Sequence, residues 1–430
     1  MTRGGVEPEK AMLIGVRWGE TTQREAEEGL VELGSLAETA GATVVGSMHQ
    51  SRSSPDAATL LGRGKLEELA EMAESSEADL VIFDHDLSPS QQRNLENRLH
   101  LKVLDRTALI LDIFAQHAHS KEGKAQVEMA QLRYGLTHLT GRGAELSRLG
   151  GGIGTRGPGE TKLEVDRRRI NTRIKTLDRE LKNLSRQRRV KRKRRDRVSV
   201  PTFSLVGYTN AGKSSLLNAL TGADVVVEDQ LFSTLDPITR RVELPGNLNA
   251  VITDTVGFIN NIPHQLIEAF KSTLEEVAEA DVLLQIVDTS ASDIQGRMDA
   301  VNAVLNELEA GGIPTIYVLN KADLLEDEDR HELGKLLPDG CFVSALSGEG
   351  LTELRERMSA ALDTTRLLKL FVPSDRGDII ALAYRKGKVL SIEAHEDGYR
   401  MSVDIPRGLL HRLSAFIVGS ESAPYHGDDT

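Results

Sequence analysis

The stretch Gly207-Tyr208-Thr209-Asn210-Ala211-Gly212-Lys213-Ser214 decides the fold of the centre of this chain. It follows an apolar segment, 202–206, and precedes the helical pattern SSLLNALTG, so G-x-x-x-x-G-K-[ST] stands in a strand–loop–helix setting. Glycine at both ends lets the backbone wrap a phosphate, with N–H groups and the helix N-terminus facing the anion. We expect a nucleotide site in which Lys213 reaches the β- and γ-phosphates and Ser214 ligates Mg²⁺.

The base is indicated by Asn320-Lys321-Ala322-Asp323, at the end of the strand-like run TIYVLN. A buried carboxylate at Asp323 would accept from N1–H and the exocyclic amine of guanine, and adenine has neither donor there. Asn320 and the stem of Lys321 are expected to hold the loop and cover the base. An ordinary polar turn is the alternative for this motif alone. Further on, Ser344-Ala345-Leu346 lies where a backbone N–H would donate to guanine O6, so GTP is the expected ligand.

Two segments between these motifs are expected to sense the γ-phosphate. The run ITRRVELPGNLNAVITD predicts a hairpin that ends in Asp254-Thr255-Val256-Gly257. Asp254 would hold the Mg²⁺ shell through water, and the Gly257 amide would contact the γ-phosphate. In Phe232-Ser233-Thr234-Leu235-Asp236, Thr234 is the expected second Mg²⁺ ligand, with the hydroxyls of Ser233 and Thr239 as alternatives.

Phe258 occupies the position after D-x-x-G where many GTPases have a glutamine that orients the attacking water. A phenyl ring cannot hydrogen-bond water, so the catalytic group is unknown from the sequence. We expect slow intrinsic hydrolysis that a partner accelerates.

The length of 430 residues indicates several domains. The single cysteine, Cys341, excludes an intramolecular disulfide, and the start MTRGGVEPEK lacks a secretory signal. No apolar run is long enough for a membrane span, so a cytoplasmic protein is expected.

The first part of the chain, up to residue 117, alternates apolar runs with amphipathic stretches and predicts an α/β domain with a parallel sheet. Within it, Gly62-Arg63-Gly64-Lys65 opens a helix. It is either a phosphate-binding turn or a plain helix entry, and so short a motif favours the helix entry.

Heptad-like stripes of apolar residues follow in residues 118–198 and flank the segment 141–159, which contains eight glycines. They predict an antiparallel helical hairpin with a glycine-rich loop. Residues 161–197 hold 17 Lys/Arg against 5 Asp/Glu, while the whole chain has a net charge of -12. A charge run is usually a solvated face, but this density, with Arg142, Arg148 and Arg156 in the loop, favours RNA.

The expected fold class is α/β multidomain. The GTPase domain spans 199–364 and has a mostly parallel sheet with helices on both faces. A small α+β module, residues 365–430, is predicted as strand, helix, strand, strand, helix. The two helical stripes can satisfy each other within one chain, so a monomer is the simpler expectation.

The motifs GYTNAGKS, FSTLDP, DTVGF and NKAD, preceded by GGIGTRGPGETKLEVDRRRI, resemble the HflX family of translation-factor-related GTPases. The resemblance covers most of the chain and is least diagnostic in the final module. It implies a cytoplasmic protein that binds the large ribosomal subunit, approaches the peptidyl-transferase region with its N-terminal part and separates stalled ribosomes. It also implies Mg²⁺ bound through Ser214 and Thr234.

Asn210 stands where some related GTPases coordinate K⁺ beside the phosphates, which makes K⁺ a second candidate ion. The alternative from another class is a signalling or scaffold GTPase that binds protein partners, its basic helix merely solvated. Salt dependence of binding separates the two interpretations.

Overall fold

The computed structural model forms two compact units, and each is described by itself. The first comprises Met1–Leu184 with Gln230–Leu235 and Ile262–Phe270, and the second comprises the remaining segments. The segment 141–159 and Ser233 lie outside the described residues. The structure describes residues 8–19, 21–139, 162–195, 200–222, 231–232, 234–246, 248–260, 263, 266, 270, 274, 276–363, 365–406 and 409–421.

The first unit is built on a parallel four-stranded sheet in the order β2-β1-β3-β4. The core strand β3 is the uninterrupted apolar run LVIF and is buried throughout, as expected for a parallel strand covered on both faces. Capping boxes at Thr22 and Ser88 fix the starts of α1 and α3. The elements are β1 (Lys10–Arg17), α1 (Gln23–Thr39), β2 (Thr43–Ser51), α2 (Arg63–Ser75), β3 (Leu80–Phe83), α3 (Pro89–Leu99), β4 (Lys102–Asp105) and α4 (Arg106–His117).

The turn at Gly62 is a helix entry. The Gly62 N–H donates to Gln50 Oε1 at 2.9 Å, and Lys65 pairs with Glu68 at 2.8 Å. The Gly62 N–H and the Lys65 ammonium, two of the groups that would face a phosphate, therefore have partners within the protein.

Two long helices, α5 (Lys121–Leu139) and α6 (Lys162–Arg195), carry the predicted stripes. Their apolar residues form one small core of Ala125, Met129, Leu132, Ile174, Leu177 and Leu181. Arg173 of α6 donates two hydrogen bonds of 2.6 Å to the Glu128 carboxylate of α5. The stripes therefore pack against each other.

The second unit contains a six-stranded sheet in the order β10-β9-β8-β5-β7-β6, in which only β6 is antiparallel to its neighbour. Leu284 and Ile286 of β8 pack in one core with α7 and α10, whereas Val287 packs in another with α8. Because successive side chains of a strand point to opposite faces, helices cover both faces of this sheet, and the predicted α/β class is confirmed. The elements are β5 (Thr202–Gly207), α7 (Lys213–Thr221), β6 (Ile238–Leu244), β7 (Leu248–Asp254), β8 (Val282–Asp288), α8 (Ile294–Glu307), β9 (Thr315–Asn320), α9 (Asp327–Leu336), β10 (Cys341–Phe342) and α10 (Leu351–Asp363).

The end of the chain folds as an antiparallel sheet in the order β12-β13-β11-β14. The strand β14 was not predicted, and the second predicted helix is only four residues long. The run IVGSE has too little apolar alternation to signal a strand, and its pairing with β11, far away in sequence, makes it one. The elements are β11 (Thr365–Pro373), α11 (Gly377–Lys386), β12 (Lys388–His395), β13 (Gly398–Pro406), α12 (Leu410–Leu413) and β14 (Ile417–Glu421).

Over the part of the chain that the structure describes, none of the helices combines the length and the apolar character that crossing a membrane requires.

Candidate nucleotide-binding site

The predicted phosphate loop connects β5 to α7, which begins at Lys213. Gly207 has φ +152° and Gly212 has φ +87°, backbone conformations that L side chains rarely adopt. A Cβ atom at Gly207 would lie 2.4 Å from the carbonyl oxygen of Ile286, and one at Gly212 would lie 2.3 Å from Asn320 Nδ2. Both glycines are therefore required by strain and by close approach.

The Lys213 ammonium lies against the loop that precedes it. Nζ donates to the carbonyl oxygens of Gly207 at 3.2 Å and of Tyr208 at 2.8 Å. Burial lowers the pKa of Lys213 to about 8, and the charge of Asp254 opposes this shift only in part. The site thus holds a desolvated cation where an anion would be strongly attracted.

Oxygen donors for a cation converge from α7 and β7. Ser214 Oγ donates to Asp254 Oδ2 at 2.6 Å, and both residues are buried. A hydroxyl and a carboxylate are oxygen donors of the kind that Mg²⁺ prefers. The residues present therefore fit a bound Mg²⁺. Thr255 has a different task, because its hydroxyl donates to the Leu205 carbonyl at 2.6 Å and ties β7 to β5.

The segment after Asp254 runs against the phosphate loop. The Phe258 N–H donates to the Gly207 carbonyl at 3.1 Å, and the Thr209 N–H donates to the Phe258 carbonyl at 2.7 Å. At Gly257, a Cβ atom would lie 2.6 Å from Thr209 Cγ2 and 3.0 Å from Lys213 Nζ. The Phe258 side chain is only 1% exposed, so its ring belongs to the core and offers no polar group to the site.

Asn320 joins two loops through one side chain. Its Nδ2 donates to the Ala211 carbonyl at 2.8 Å, and its Oδ1 accepts from the Ala345 N–H at 3.1 Å. Because Asn320 is buried and both ends of its amide are used, it fixes the phosphate loop relative to residues 344–346.

The rest of the predicted base-binding motif is arranged around Lys321, whose φ is +66°. Lys321 Nζ pairs with Asp288 Oδ2 at 2.8 Å, and the Ala322 N–H donates to the Val343 carbonyl at 3.0 Å. Asp323 is exposed, so the expectation of a buried carboxylate is wrong for the chain alone. Only a base lying over it would desolvate it.

The loop 344–346 is held from its first residue. Ser344 is fully buried, and its Oγ accepts from the Ser347 N–H at 3.1 Å. Leu346 is 91% exposed and packs against nothing in the core. The backbone of this loop is therefore positioned by Ser344 and Asn320, while Leu346 contributes little to its placement.

The predicted Mg²⁺-binding segment is divided between the two units. Phe232, Thr234 and Leu235 are buried in the first unit, and Asp236 is half-buried in the second. Phe232 packs edge-on to Phe114 of α4 at 4.7 Å between ring centroids, and Phe270 packs in the same way at 4.7 Å. Phe232 has φ +58°, which its burial in this aromatic cluster offsets.

Of the alternative hydroxyls, Thr239 shares a hydrogen bond of 3.1 Å with Thr253 across the hairpin. The Mg²⁺ role of Thr234 remains a prediction.

Three residues near the site were not identified from the sequence. Asp288 holds Lys321, and Thr289 donates to the Asn320 carbonyl through its N–H at 3.0 Å and its hydroxyl at 2.9 Å. Arg297 lies over the Tyr208 ring at 5.0 Å. Asp288 could have been predicted from the sequence, because it is an acidic residue at the carboxyl end of β8, which is buried throughout. Ligand sites form at the carboxyl ends of parallel strands.

Three family models match successive parts of the chain. Residues 27–115 match the family model "GTP-binding GTPase N-terminal", residues 117–195 match "GTP-binding GTPase Middle Region", and residues 202–321 match "50S ribosome-binding GTPase". The crystal structure of a GTP-binding protein from Sulfolobus solfataricus in complex with GDP is 26% identical, with a TM-score of 0.43 over 82% of this chain and 98% of that chain.

Two curated relatives are similar over nearly their whole length. GTPase HflX of Caldanaerobacter subterraneus is 46% identical over 95% of this chain and 94% of its own. GTPase HflX of Escherichia coli is 43% identical over 91% of this chain and 92% of its own. With the phosphate loop, the Asn320 bridge and the Ser214–Asp254 pair in place, the chain therefore belongs to the HflX family and is a GTP-hydrolysing enzyme.

Proposed function

We propose that this chain is a cytoplasmic GTP-driven switch that binds the large ribosomal subunit and separates stalled ribosomes, with hydrolysis resetting it. The similarity of residues 202–321 to the 50S ribosome-binding GTPase model carries the proposal. The composition of α6 supports it, because Lys162–Arg195 carries 16 Lys/Arg and 4 Asp/Glu, a charge density that suits RNA.

In the proposed site, backbone N–H groups of the phosphate loop that do not bond within the chain, together with the N-terminus of α7, hold the phosphates, and Lys213 adds a charge-assisted bond. Bound Mg²⁺ would neutralise developing phosphate charge, held by Ser214 and Thr234, with Asp254 bonded to its water shell. Asn320, Lys321, Asp323 and the backbone of 344–346 would hold guanine.

Slow hydrolysis by the isolated chain follows from the buried ring of Phe258. We expect purified large subunits to raise turnover at least roughly tenfold, because another polar group or ordered switches must position water. Sedimentation with subunits, with and without a non-hydrolysable GTP analogue, measures binding alongside. Full turnover without ribosomes would contradict the proposal.

The scaffold interpretation makes a different prediction for the same sedimentation. An interface that neutralises several phosphates weakens steeply between low and moderate salt, whereas a protein interface of ordinary charge does not. A variant lacking residues 141–159 isolates the glycine-rich segment. Unchanged subunit binding by that variant would remove the segment from the proposed interface.

We predict that GTP affinity falls with rising pH above about 8. The pKa of Lys213 is about 8 in the chain alone, and phosphates beside it raise that pKa. Below this pH the lysine is charged both before and after binding, so the Kd is constant. Above it, binding takes up a proton, and the Kd rises towards roughly tenfold per pH unit.

Calorimetric Kd values between about pH 6.5 and pH 9 test this linkage. The matched control is Lys213→Arg, whose cation does not titrate in that range, so its Kd should stay level even if it is weaker. A wild-type Kd that stays level as well would refute the prediction.

We also predict that K⁺ raises turnover relative to Na⁺ through Asn210, which is exposed and has φ +60°. An amide oxygen beside the phosphates suits a monovalent cation, and K⁺ there would neutralise charge in the transition state. Turnover of wild type and Asn210→Ala in each salt provides four rates. Equal turnover rates in all four measurements would contradict a role for K⁺ at Asn210.

A further inference from the structure

A cavity of about 270 Å³ lies in the first unit between α3 and α5. It is lined by Pro89, Gln92, Arg93 and Glu96 of α3 and by Tyr134, Gly135, His138 and Leu139 of α5. One cation and one anion balance each other in this lining. A neutral ligand therefore suits it better than a phosphate.

Its α5 wall is an aromatic pair. The rings of Tyr134 and His138, one helical turn apart, stack with centroids 4.1 Å apart and an angle of 29°. Burial, with the Asp105 carboxylate nearby, raises the pKa of Tyr134, so its hydroxyl stays protonated. Such rings are the surfaces on which proteins stack planar bases.

His138 also presents an unused acceptor. Its Nδ1 lies 2.9 Å from the Tyr134 carbonyl oxygen, which can only accept, and 3.1 Å from Thr137 Oγ1, which donates its own hydrogen to the same carbonyl at 2.7 Å. Nδ1 therefore carries the proton in the neutral ring. The buried Nε2 then offers a lone pair and has no hydrogen-bond partner among the described residues. A buried acceptor of this kind is costly unless a ligand supplies an N–H or O–H donor.

Gly135 keeps the cavity open. It lies inside α5, its backbone needs no left-handed conformation, and a Cβ atom there would have no heavy atom of the described residues within 4 Å. Glycine weakens a helix interior relative to alanine, so neither the backbone nor packing accounts for it. The open space beside this position, which a larger side chain would fill, accounts for the glycine.

We propose that this cavity binds one unpaired RNA base, stacked on the Tyr134–His138 pair and donating an N–H to His138 Nε2. The ligand is identified as RNA because α5 packs on α6, whose sequence contains 16 Lys/Arg and suits a phosphate backbone, while the cavity suits a neutral planar group. In this choice of ligand the inference rests on the proposed function.

The test uses the full chain and fluorescein-labelled single-stranded RNA hexamers, one for each base, with binding followed by anisotropy. Gly135→Leu fills the cavity, and Gln131→Leu, at an exposed residue one helical turn from Gly135 that does not line the cavity, is the matched control. We expect Gly135→Leu to weaken the preferred hexamer roughly tenfold, with an unchanged salt slope, and Gln131→Leu to stay within about twofold. Gly135→Ala, which favours the helix, should weaken binding less.

A set of hexamers, each with an abasic nucleotide at a different position, completes the test. At the most sensitive position, the wild type should bind the abasic hexamer roughly tenfold less well than the intact RNA. Equal effects of the two leucine variants, equal binding of intact and abasic RNA, or no base-dependent binding by wild type would each overturn the inference. Subunit sedimentation judges the proposed function separately. A chain that binds subunits but ignores the base refutes only the cavity.

Discussion

Asp323→Asn is expected to weaken GTP binding about 10²-fold or more and to give the chain affinity for xanthosine triphosphate. Guanine presents two donors, N1–H and the exocyclic amine, and a carboxylate accepts from both. An asparagine amide has one acceptor and one donor group, so one guanine donor would face an N–H. The substitution removes hydrogen bonds to a charged group and places an N–H donor against another donor. Together these changes cost about 3 kcal/mol, which is roughly a hundredfold in Kd.

Xanthine has a carbonyl where guanine has the amine, so it matches the asparagine pattern of one acceptor and one donor. Calorimetric Kd values for GTP and xanthosine triphosphate measure the exchange directly. Asp327→Asn is the matched control, because it removes the same charge from an exposed residue of α9. If Asp323→Asn and Asp327→Asn bound GTP equally well, Asp323 would not contact the base.

Lys213→Ala is expected to lower GTP turnover about 10²- to 10³-fold, even with subunits present. The transition state carries growing charge on the phosphate oxygens, and a preorganised cation in a buried site stabilises it strongly. Lys213 is 7% exposed, so water cannot substitute easily for its ammonium group. Single-turnover hydrolysis at saturating GTP separates this loss from weaker binding.

The same variant should not lose stability in the absence of nucleotide. Burying the ammonium is unfavourable, as its lowered pKa shows, and the two carbonyls it contacts have other donors in Phe258 and Ala211. Thermal melts should therefore show an unchanged or higher Tm without nucleotide and a smaller GTP-induced rise. Lys335→Ala, at an exposed lysine of α9, controls for loss of charge. A variant that melts early without nucleotide would show that Lys213 is mainly structural.

Much of the GTP site was visible in the sequence because it is encoded locally. The spacing of Gly207, Gly212 and Lys213 specifies one loop conformation and the start of one helix, and neither depends on distant residues. The alternation of apolar and amphipathic segments likewise predicted the parallel sheet of the first unit. The strand β14 was not predicted, because pairing with β11 makes it a strand and its own composition does not.

Only the tertiary structure decided which of these local pieces contact each other. Asn320 was predicted as a base-loop residue, but its bridge from Ala211 to Ala345 joins positions 109 and 25 residues away in the chain. The exposure of Asp323 and the packing of Phe232 and Phe270 on Phe114 are likewise invisible to any local pattern.

Spacing thus determined by itself that the chain has a phosphate loop, a guanine motif and a phenylalanine where a water-orienting side chain is common. Backbone conformation depends mainly on residues that are close in sequence, so a short motif is enough to specify it. The hydrogen bonds that hold Lys213, the Asn320 bridge and the space above Gly135 depend on how sheets and helices assemble. That assembly follows from burial summed over many distant residues, which no short stretch of sequence contains.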